Sequence, residues 1–322
     1  MSASTAATAD LQGLADERQK SVGQWTLVWR RLRRHKLAMG GFAVFALIVL
    51  ASLLASVIAP YDYEAQDLDR RYQPWFTPGA PGEPIHILGT DELGRDTLTR
   101  VLFAGRISLG VALTVTMLAS FIGVVVGAVA GAFGGWVDTI LMRFVDLMLT
   151  LPDLPIFLIL SSSLRQFVAI TDFLGSSASV VIIIGVLVAF GWMVVARLVR
   201  GSVLTLREQT FVEACQALGA NRVRVIFSHL VPNSLAPIIV SATLGFGGVI
   251  ILESALSFLG FGIMPPVPTW GNMLNAARSA PQTGLTLFIQ TLSPGFFIFL
   301  TVLCINFIGD GLRDALDPRL KV

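Results

Sequence analysis

The chain has 322 residues, of which 54% are hydrophobic and only 14% are charged, and its formal net charge is +2. This composition is typical of an all-α membrane protein that crosses the bilayer several times, and it excludes an ordinary soluble globule. None of the lysines, which are Lys20, Lys36 and Lys321, follows the glycine-rich run of a phosphate-binding loop. Any energy source must therefore lie on another subunit.

The amino-terminal part of the chain, 1–36, is predicted to be a cytoplasmic tail that ends in an amphipathic helix. Residues 1 to about 20 are small, polar and charged without hydrophobic periodicity, which indicates disorder. From Trp25 to Arg34, apolar residues alternate with arginines, a pattern that predicts a helix lying in the membrane interface. This basic arm leads straight into an apolar segment, so we expect it to meet anionic lipid first, and phosphate binding is the alternative.

The first transmembrane helix is predicted at 37–59. This stretch contains no charged residue and exceeds the roughly 20 residues that a bilayer requires. A cleaved signal peptide is the alternative, but its apolar core would be about half as long. We therefore interpret the stretch as an uncleaved anchor.

The segment 60–106 is polar and rich in proline and glycine, which predicts an extracytoplasmic cap over the mouth of a pore. Its acidic residues are Asp62, Glu64, Asp67, Asp69, Glu83, Asp91, Glu92 and Asp96. They are interpreted as solvated surface or contacts to other subunits. The alternative is that they attract the amino terminus of a peptide.

The segment 107–309 is predicted to hold a core of five transmembrane helices, of which the second span of the chain, Ile107 to Val137, is the first. Gly123, Gly127 and Gly131 recur every fourth residue, so they share one helix face and permit close helix packing. The pair that follows at 134–135 is expected to break the helix.

The third span is predicted from Asp138, as its capping residue, to Leu164. Arg143 and Asp146 are three residues apart and could pair on one face. Charges inside a span usually face a partner or a wet cavity. Asp146 and Asp153 are therefore candidates for a solute path.

The remaining spans are predicted at Val180–Ala196, Ser234–Phe258 and Leu285–Gly309. Glu253 is the only ionisable residue of the fifth span. It either makes a hydrogen bond that pairs helices or lines the solute path, and both interpretations stay open. Trp270, in the outer segment before the sixth span, is expected at the headgroup level.

A polar loop at 197–232 separates the fourth and fifth spans. Its first part predicts a short helix with an apolar face, which Gly219 ends in a left-handed conformation. Asn221 is expected to cap a second helix that runs to Leu230. The residues expected to contact a soluble partner are Phe211, Glu213, Ala214, Cys215, Ala217, Leu218 and Gly219. The alternative from the local pattern is a solvated loop with an ordinary capped helix.

Basic residues cluster in the amino-terminal arm, in this loop and in the tail at 310–322. By the positive-inside rule these three regions share the cytoplasmic side, as six spans require. Cys215 and Cys304 fall in the loop and in a span, where no disulfide is expected. The histidines lack the spacing of metal ligands, and we find no nucleophile with a matching base, so neither a metal site nor catalysis is expected.

Several motifs in order resemble one family. The loop carries Glu213-Ala214-Cys215, then Gly219 and Pro232, and its spacing is similar to the "EAA" loop of ABC importer permeases. Cys215 stands where that family usually has alanine, and His229 where many members have isoleucine. The stretches 88–96, 257–262, 265–271 and 309–318 resemble the "C" permease of dipeptide and oligopeptide importers.

The resemblance implies a type I ABC importer permease core of six helices with an amino-terminal interfacial helix, in a bacterial or archaeal plasma (inner) membrane. The loop would be a coupling helix that enters a cleft of an ATPase subunit. The implied partners are a second, homologous permease, two cytoplasmic ATPases that bind ATP and magnesium, and an extracytoplasmic binding protein. Importers of nickel, glutathione or other small solutes share this branch, and an ion-coupled secondary transporter is the alternative from another class.

Overall fold

The computed structural model describes residues 24–167, 172–278 and 284–317. Its helices in chain order are α1 (Gln24–Arg34), α2 (Lys36–Leu53), α3 (Ala55–Ile58), α4 (Thr97–Phe133), α5 (Gly135–Leu149), α6 (Asp153–Gln166), α7 (Ala178–Arg207), α8 (Thr210–Ala217), α9 (Arg222–Val225), α10 (Val231–Asn233), α11 (Leu235–Phe258), α12 (Trp270–Ala277) and α13 (Gly284–Leu316). The described part contains two isolated β-bridges and no longer strand. The all-α polytopic class is thereby confirmed. The predicted disordered tail at 1–20 and the last five residues lie outside the described part.

Five of these helices are long and apolar enough to cross a membrane, and the pair α5 and α6 makes a sixth if it is counted as one bent span. The segment 60–96 lies at one end of the bundle, which we name the cap end. Helices α4 and α7 finish at the other end, where 208–233 follows, and we name this the loop end. The chain enters α2 at the loop end and leaves α13 there, as an even number of crossings requires.

The third span is not the single helix predicted from Asp138 to Leu164. It consists of α5 and α6, which meet at an angle of 90°. Pro152 stands at the break, where its extended backbone (ψ 115°) precedes the first residue of α6. Proline cannot donate the helical hydrogen bond and it disfavours helical geometry in the residue before it, so the helix ends here.

Several helices extend beyond their predicted bounds. Helix α4 begins at Thr97 rather than at Ile107, because the Asp96 carboxylate caps it by accepting a hydrogen bond from the Thr99 amide at 2.8 Å. The cap-end segment is accordingly shorter than 60–106. Helices α7 and α13 continue through their charged ends to Arg207 and Leu316. Hydropathy indicates the part of a helix that lies within the bilayer. It does not detect the helical turns that continue beyond the bilayer.

The two aspartates of α5 pair with α7 rather than within α5. Asp138 does not cap its helix, since Gly134 occupies the capping position. Its carboxylate instead accepts two hydrogen bonds from Arg200, at 2.5 Å from Nε and 2.6 Å from Nη2. Asp146 lies 2.6 Å from Arg197 and not against Arg143, its predicted partner. Two ion pairs therefore join α5 to α7.

Helices α4 and α7 run parallel in close contact along the glycine face predicted for α4. A methyl group added at Gly127 would lie 2.3 Å from the Ala196 carbonyl oxygen, and one at Gly123 would lie 2.6 Å from the Trp192 carbonyl oxygen. At Gly131 the neighbour is the Val203 side chain, at 2.9 Å. The prediction of close packing is confirmed, because only glycine lets the two backbones approach this far.

Trp270, expected at the headgroup level, is fully buried (0% exposed). Its indole Nε1 donates to the Val101 carbonyl at 3.1 Å, and its ring stacks on Phe297 with centroids 6.1 Å apart. The expectation was wrong because Thr269 and Asn272 form a capping box that turns the outer segment inward as α12. A buried indole that finds a partner for its N–H packs a helix bundle well.

Candidate functional site

The loop between α7 and α11 forms two short helices joined by a sharp turn. Gly219 takes a φ of +81°, in the left-handed region where glycine carries no steric cost. Its amide donates to the Gln216 carbonyl at 2.9 Å, and the next amide, of Ala220, donates to the Cys215 carbonyl at 3.0 Å. This pair of bonds is the Schellman motif, which satisfies the last carbonyls of α8. The predicted stop at Gly219 is confirmed.

The second helix begins as predicted at Asn221. Its side-chain oxygen accepts from the amides of Val223 at 2.7 Å and Arg224 at 3.3 Å. The helix then widens into a π-helical turn over Ile226–Leu230 before α10. Such turns commonly mark functional sites in helices.

The apolar residues of α8 lie on two adjacent faces rather than on the single face predicted. Val212 is buried and Cys215 half-buried, whereas Phe211, Ala214 and Leu218 are exposed. At about 100° per residue, the last three share one side of the helix. Leu218 is 89% exposed and Phe211 38%. The inward face anchors α8, and the outward face leaves an apolar surface uncovered in this chain.

The inward face packs on the loop ends of the two long helices. Val212 belongs to one buried cluster with residues of α4, α7, α9, α11 and the π-helical turn. The other buried members of this cluster are Ala128, Val195, Val199, Val203, Val225, Ile226, Leu230 and Ile238. The same part of α7 also packs against the glycine face of α4. This buried cluster therefore links α8 to the loop ends of α4 and α7.

A cavity of about 830 Å³ lies between α4, the bend of α5 and α6, α7 and α11. Val115, Phe157, Leu187, Val194 and Val249 contribute to its mostly apolar wall. Within the part of the chain that the structure describes, the ionisable residues of the lining are Asp153, Arg313 and Asp317. The volume is within the range of pockets that hold small organic ligands.

The three predicted path residues occupy different places. Asp153 lines the cavity at the start of α6. Asp146 pairs with Arg197, and both side chains are more than half exposed, at 58% and 54%. Glu253 is 0% exposed and faces away from the cavity lining, to which its neighbour Leu252 contributes.

Glu253 is surrounded by hydroxyl groups. Its carboxylate accepts from Ser257 Oγ at 2.8 Å and from Ser108 Oγ of α4 at 3.2 Å. The two hydroxyl oxygens in turn accept from backbone amides, Ser108 from Trp270 and Ser257 from Ile263. This arrangement ties α11 to α4 and α12, which supports the helix-pairing role for Glu253. The sequence interpretation did not identify Ser108, although a serine in an apolar span is a signal of such a partner.

The cap end is built around buried charges rather than solvated ones. The carboxylate of Asp91 accepts from Arg95 Nε at 2.7 Å and lies 3.3 Å from Arg100 Nε, with all three residues under 9% exposed. The buried Asp96 joins His86 at 2.9 Å. The prediction of solvated surface was wrong for these two aspartates, because a charge removed from water requires such partners.

Tyr61 covers this cluster from outside. Its ring stacks on His86 with centroids 4.4 Å apart, and its hydroxyl donates to the Pro84 carbonyl at 2.5 Å. Burial, followed by the negative charges of Glu83 and Asp96, raises the pKa of the Tyr61 hydroxyl. The hydroxyl therefore remains a hydrogen-bond donor at neutral pH.

Known protein families and relatives match nearly the whole chain, including the cap end and the loop. Residues 123–322 match the family described as binding-protein-dependent transport system inner membrane component, and residues 23–74 match the N-terminal TM domain of oligopeptide transport permease C. The chain is 38% identical to the dipeptide transport system permease protein DppC of Alkalihalophilus pseudofirmus over 313 residues, 95% of this chain and 93% of that protein. It is 38% identical to the glutathione transport system permease protein GsiD of Pectobacterium atrosepticum over 312 residues, 94% of each. With GsiD of Escherichia coli O157:H7 the identity is 37% over 308 residues, 92% of this chain and 91% of that one.

These matches span the cap end, the loop and the cavity, and they agree with the motifs read from the sequence. They favour an ATP-driven importer over the ion-coupled secondary transporter considered as an alternative. The chain belongs to the family of binding-protein-dependent transport system inner membrane components and is a multi-pass permease subunit of an ABC importer.

Proposed function

We propose that this chain forms one half of the path by which a bacterial or archaeal importer moves short peptides across the plasma membrane. Its partners are a second, homologous permease, two cytoplasmic ATPases and an extracytoplasmic binding protein. ATP and magnesium bind to the ATPases, and this chain performs no covalent chemistry. The cavity between α4, α6, α7 and α11 is its share of the path.

The observation that carries this proposal is that α8 has one face buried in this chain and another apolar face left exposed. One face of α8 is fixed to α4 and α7 through Val212, and the other exposes Phe211, Ala214 and Leu218. An apolar helix face of this kind fits a groove on a soluble protein. Since α4 and α7 also line the cavity, an ATPase that moves α8 changes the shape of the solute path.

Both termini and the loop end face the cytoplasm in this proposal. The loop end carries the basic residues of α1, of the last turns of α7 and of α9, which the positive-inside rule places in the cytoplasm. The cap end then faces outward, where the binding protein delivers solute.

The solute is proposed to be a di- or oligopeptide, as the name of DppC suggests, and the similarity to GsiD makes glutathione the second candidate. Both are small peptides whose charged termini are compatible with a mostly apolar cavity that carries a few ionisable groups. Competition between a labelled dipeptide and glutathione for uptake by the purified complex distinguishes them.

The test of the proposal is Leu218→Glu, which places a charge on the exposed face of α8 without disturbing a buried contact. We expect the ATPase to be lost from the purified complex and peptide uptake to fall by roughly tenfold or more, the effect of charging an apolar contact in an interface core. The matched control is Leu68→Glu, at a residue 55% exposed on the cap end, which should retain the ATPase. Normal ATPase retention and uptake in Leu218→Glu would show that this face is not the docking surface.

A further inference from the structure

The loop-end rim of the cavity is formed by the last turn of α13. Arg313 and Leu316 from this turn, and Asp317 directly after it, line the cavity together with Ala236 and Pro237 at the start of α11. Among the described residues, Arg313 and Asp317 supply two of the three ionisable groups of the lining. The position of this turn therefore sets both the width and the charge of the rim.

The last turn of α13 is held by α1, from the opposite end of the sequence. Arg31 Nη1 donates to the Asp317 carbonyl oxygen at 3.0 Å, and His35 Nε2 lies 3.7 Å from the Asp314 carboxylate. Helix α13 also packs closely on both α1 and the start of α2, since a methyl group added at Gly311 would lie 3.2 Å from the Leu32 side chain of α1 and 2.3 Å from the Ala38 side chain of α2.

The last carbonyl groups of a helix have no partner within the helix, and the helix dipole makes this end negative. A cation that donates to one of these carbonyls stabilises the terminal turn, which otherwise frays. The half-buried guanidinium of Arg31 takes this place on α13. Its neighbour Arg30 on the same helix is exposed.

We propose that Arg31 is a positioning residue that keeps the last turn of α13 folded at the rim of the solute path. The interfacial helix α1 thereby acts as a clamp on the rim, although it contributes nothing to the cavity wall itself. This inference rests on the proposed function only in assigning the cavity to the solute path.

The test measures how fast a small, water-soluble thiol reagent reaches the cavity. Ser241→Cys places a thiol in the lining, in the complete transporter complex and in a background with Cys215→Ala. The buried Ser161→Cys, near the cap end, reports general loosening of the fold. Each thiol is combined in turn with three substitutions in α1. Arg31→Ala removes the proposed donor, and Arg31→Lys keeps a charged donor. Arg30→Ala removes an equal charge from the exposed side of α1.

We expect Arg31→Ala to raise the labelling rate of the Ser241→Cys thiol by roughly tenfold, the effect of losing one charged hydrogen bond. Arg30→Ala should leave the labelling rate unchanged. Arg31→Lys should keep the labelling rate close to that of the chain with native Arg31. The Ser161→Cys thiol should react equally slowly in every variant. An unchanged rate in Arg31→Ala, an equal rise in Arg30→Ala, or a parallel rise at both thiols would each overturn the proposal.

If Arg31→Ala prevents assembly, Arg31→Gln replaces it, because the shorter, uncharged amide still weakens the hydrogen bond to the Asp317 carbonyl. A smaller rise in labelling is then expected, and no rise overturns the proposal. The solute path is tested separately on the Ser241→Cys chain with native Arg31. If ATP and peptide leave its labelling unchanged, the assignment of the cavity fails, whatever the comparison of Arg31 variants shows.

Discussion

Replacement of Gly127 by alanine tests whether the contact between α4 and α7 carries motion from the loop end to the cavity. The added carbon would lie 2.3 Å from the Ala196 carbonyl oxygen and 2.9 Å from the Val199 side chain, whereas ordinary contacts begin at 3.4 Å. The first neighbour is backbone and cannot rotate away. The helices must therefore separate by about 1 Å, and overpacking of this kind costs about 1–3 kcal/mol.

The assay is peptide uptake per ATP hydrolysed, measured on the reconstituted complex beside its thermal stability. We expect Gly127→Ala to lower the melting temperature of the complex and the uptake per ATP, because α7 is pushed away from α4 and the close contact between them is lost. Gly110→Ala is the matched control on the same helix, where nothing lies within 4 Å of the added carbon. If both variants keep normal stability and normal uptake per ATP, the close contact does not transmit motion and the reasoning is refuted.

Three further predictions concern charge and orientation. Glu253→Gln keeps the shape of the side chain, and its amide can accept from one of Ser108 and Ser257 while it donates to the other. Uptake of cationic and anionic peptides should therefore fall slightly and equally, and an unequal effect would return Glu253 to the solute path. Asp153→Asn should instead reduce uptake of cationic peptides more than that of anionic ones, since Asp153 lines the cavity. In intact cells, an impermeant thiol reagent should label Gln66→Cys at the exposed cap end, and it should reach Glu208→Cys at the loop end only after the membrane is opened. The opposite labelling pattern would contradict cytoplasmic termini.

Features set by neighbouring residues could be predicted from the sequence. Gly219 and Asn221 act on backbone groups within a few positions, and the structure confirms both. The glycine face of α4 was likewise readable, because helical spacing alone decides which residues share a side. The six-span count and the fold class follow from hydropathy in the same way.

Features set by distant residues could not be predicted. Ser108 and Glu253 are 145 positions apart, and Arg31 and Asp317 are 286 apart, so no local pattern connects them. Hydropathy also does not show whether a span is straight or bent, which is why the bend at Pro152 was missed. Buried charges such as Asp91 look like surface residues until their partners are known.

The uninterrupted length of α4 has a mechanical consequence. With 37 residues, it is about 55 Å long, against roughly 30 Å for the hydrocarbon core of a bilayer. Its first turn is capped by Asp96 inside the charged cluster of the cap end, and near its last turn the Gly131 carbonyl accepts from Arg207 at 3.2 Å. A helix of this kind hardly changes in length, so it acts as a strut between the two faces of the membrane. A push at either face arrives at the other as a tilt or a shift of the whole strut, without passing through a flexible loop.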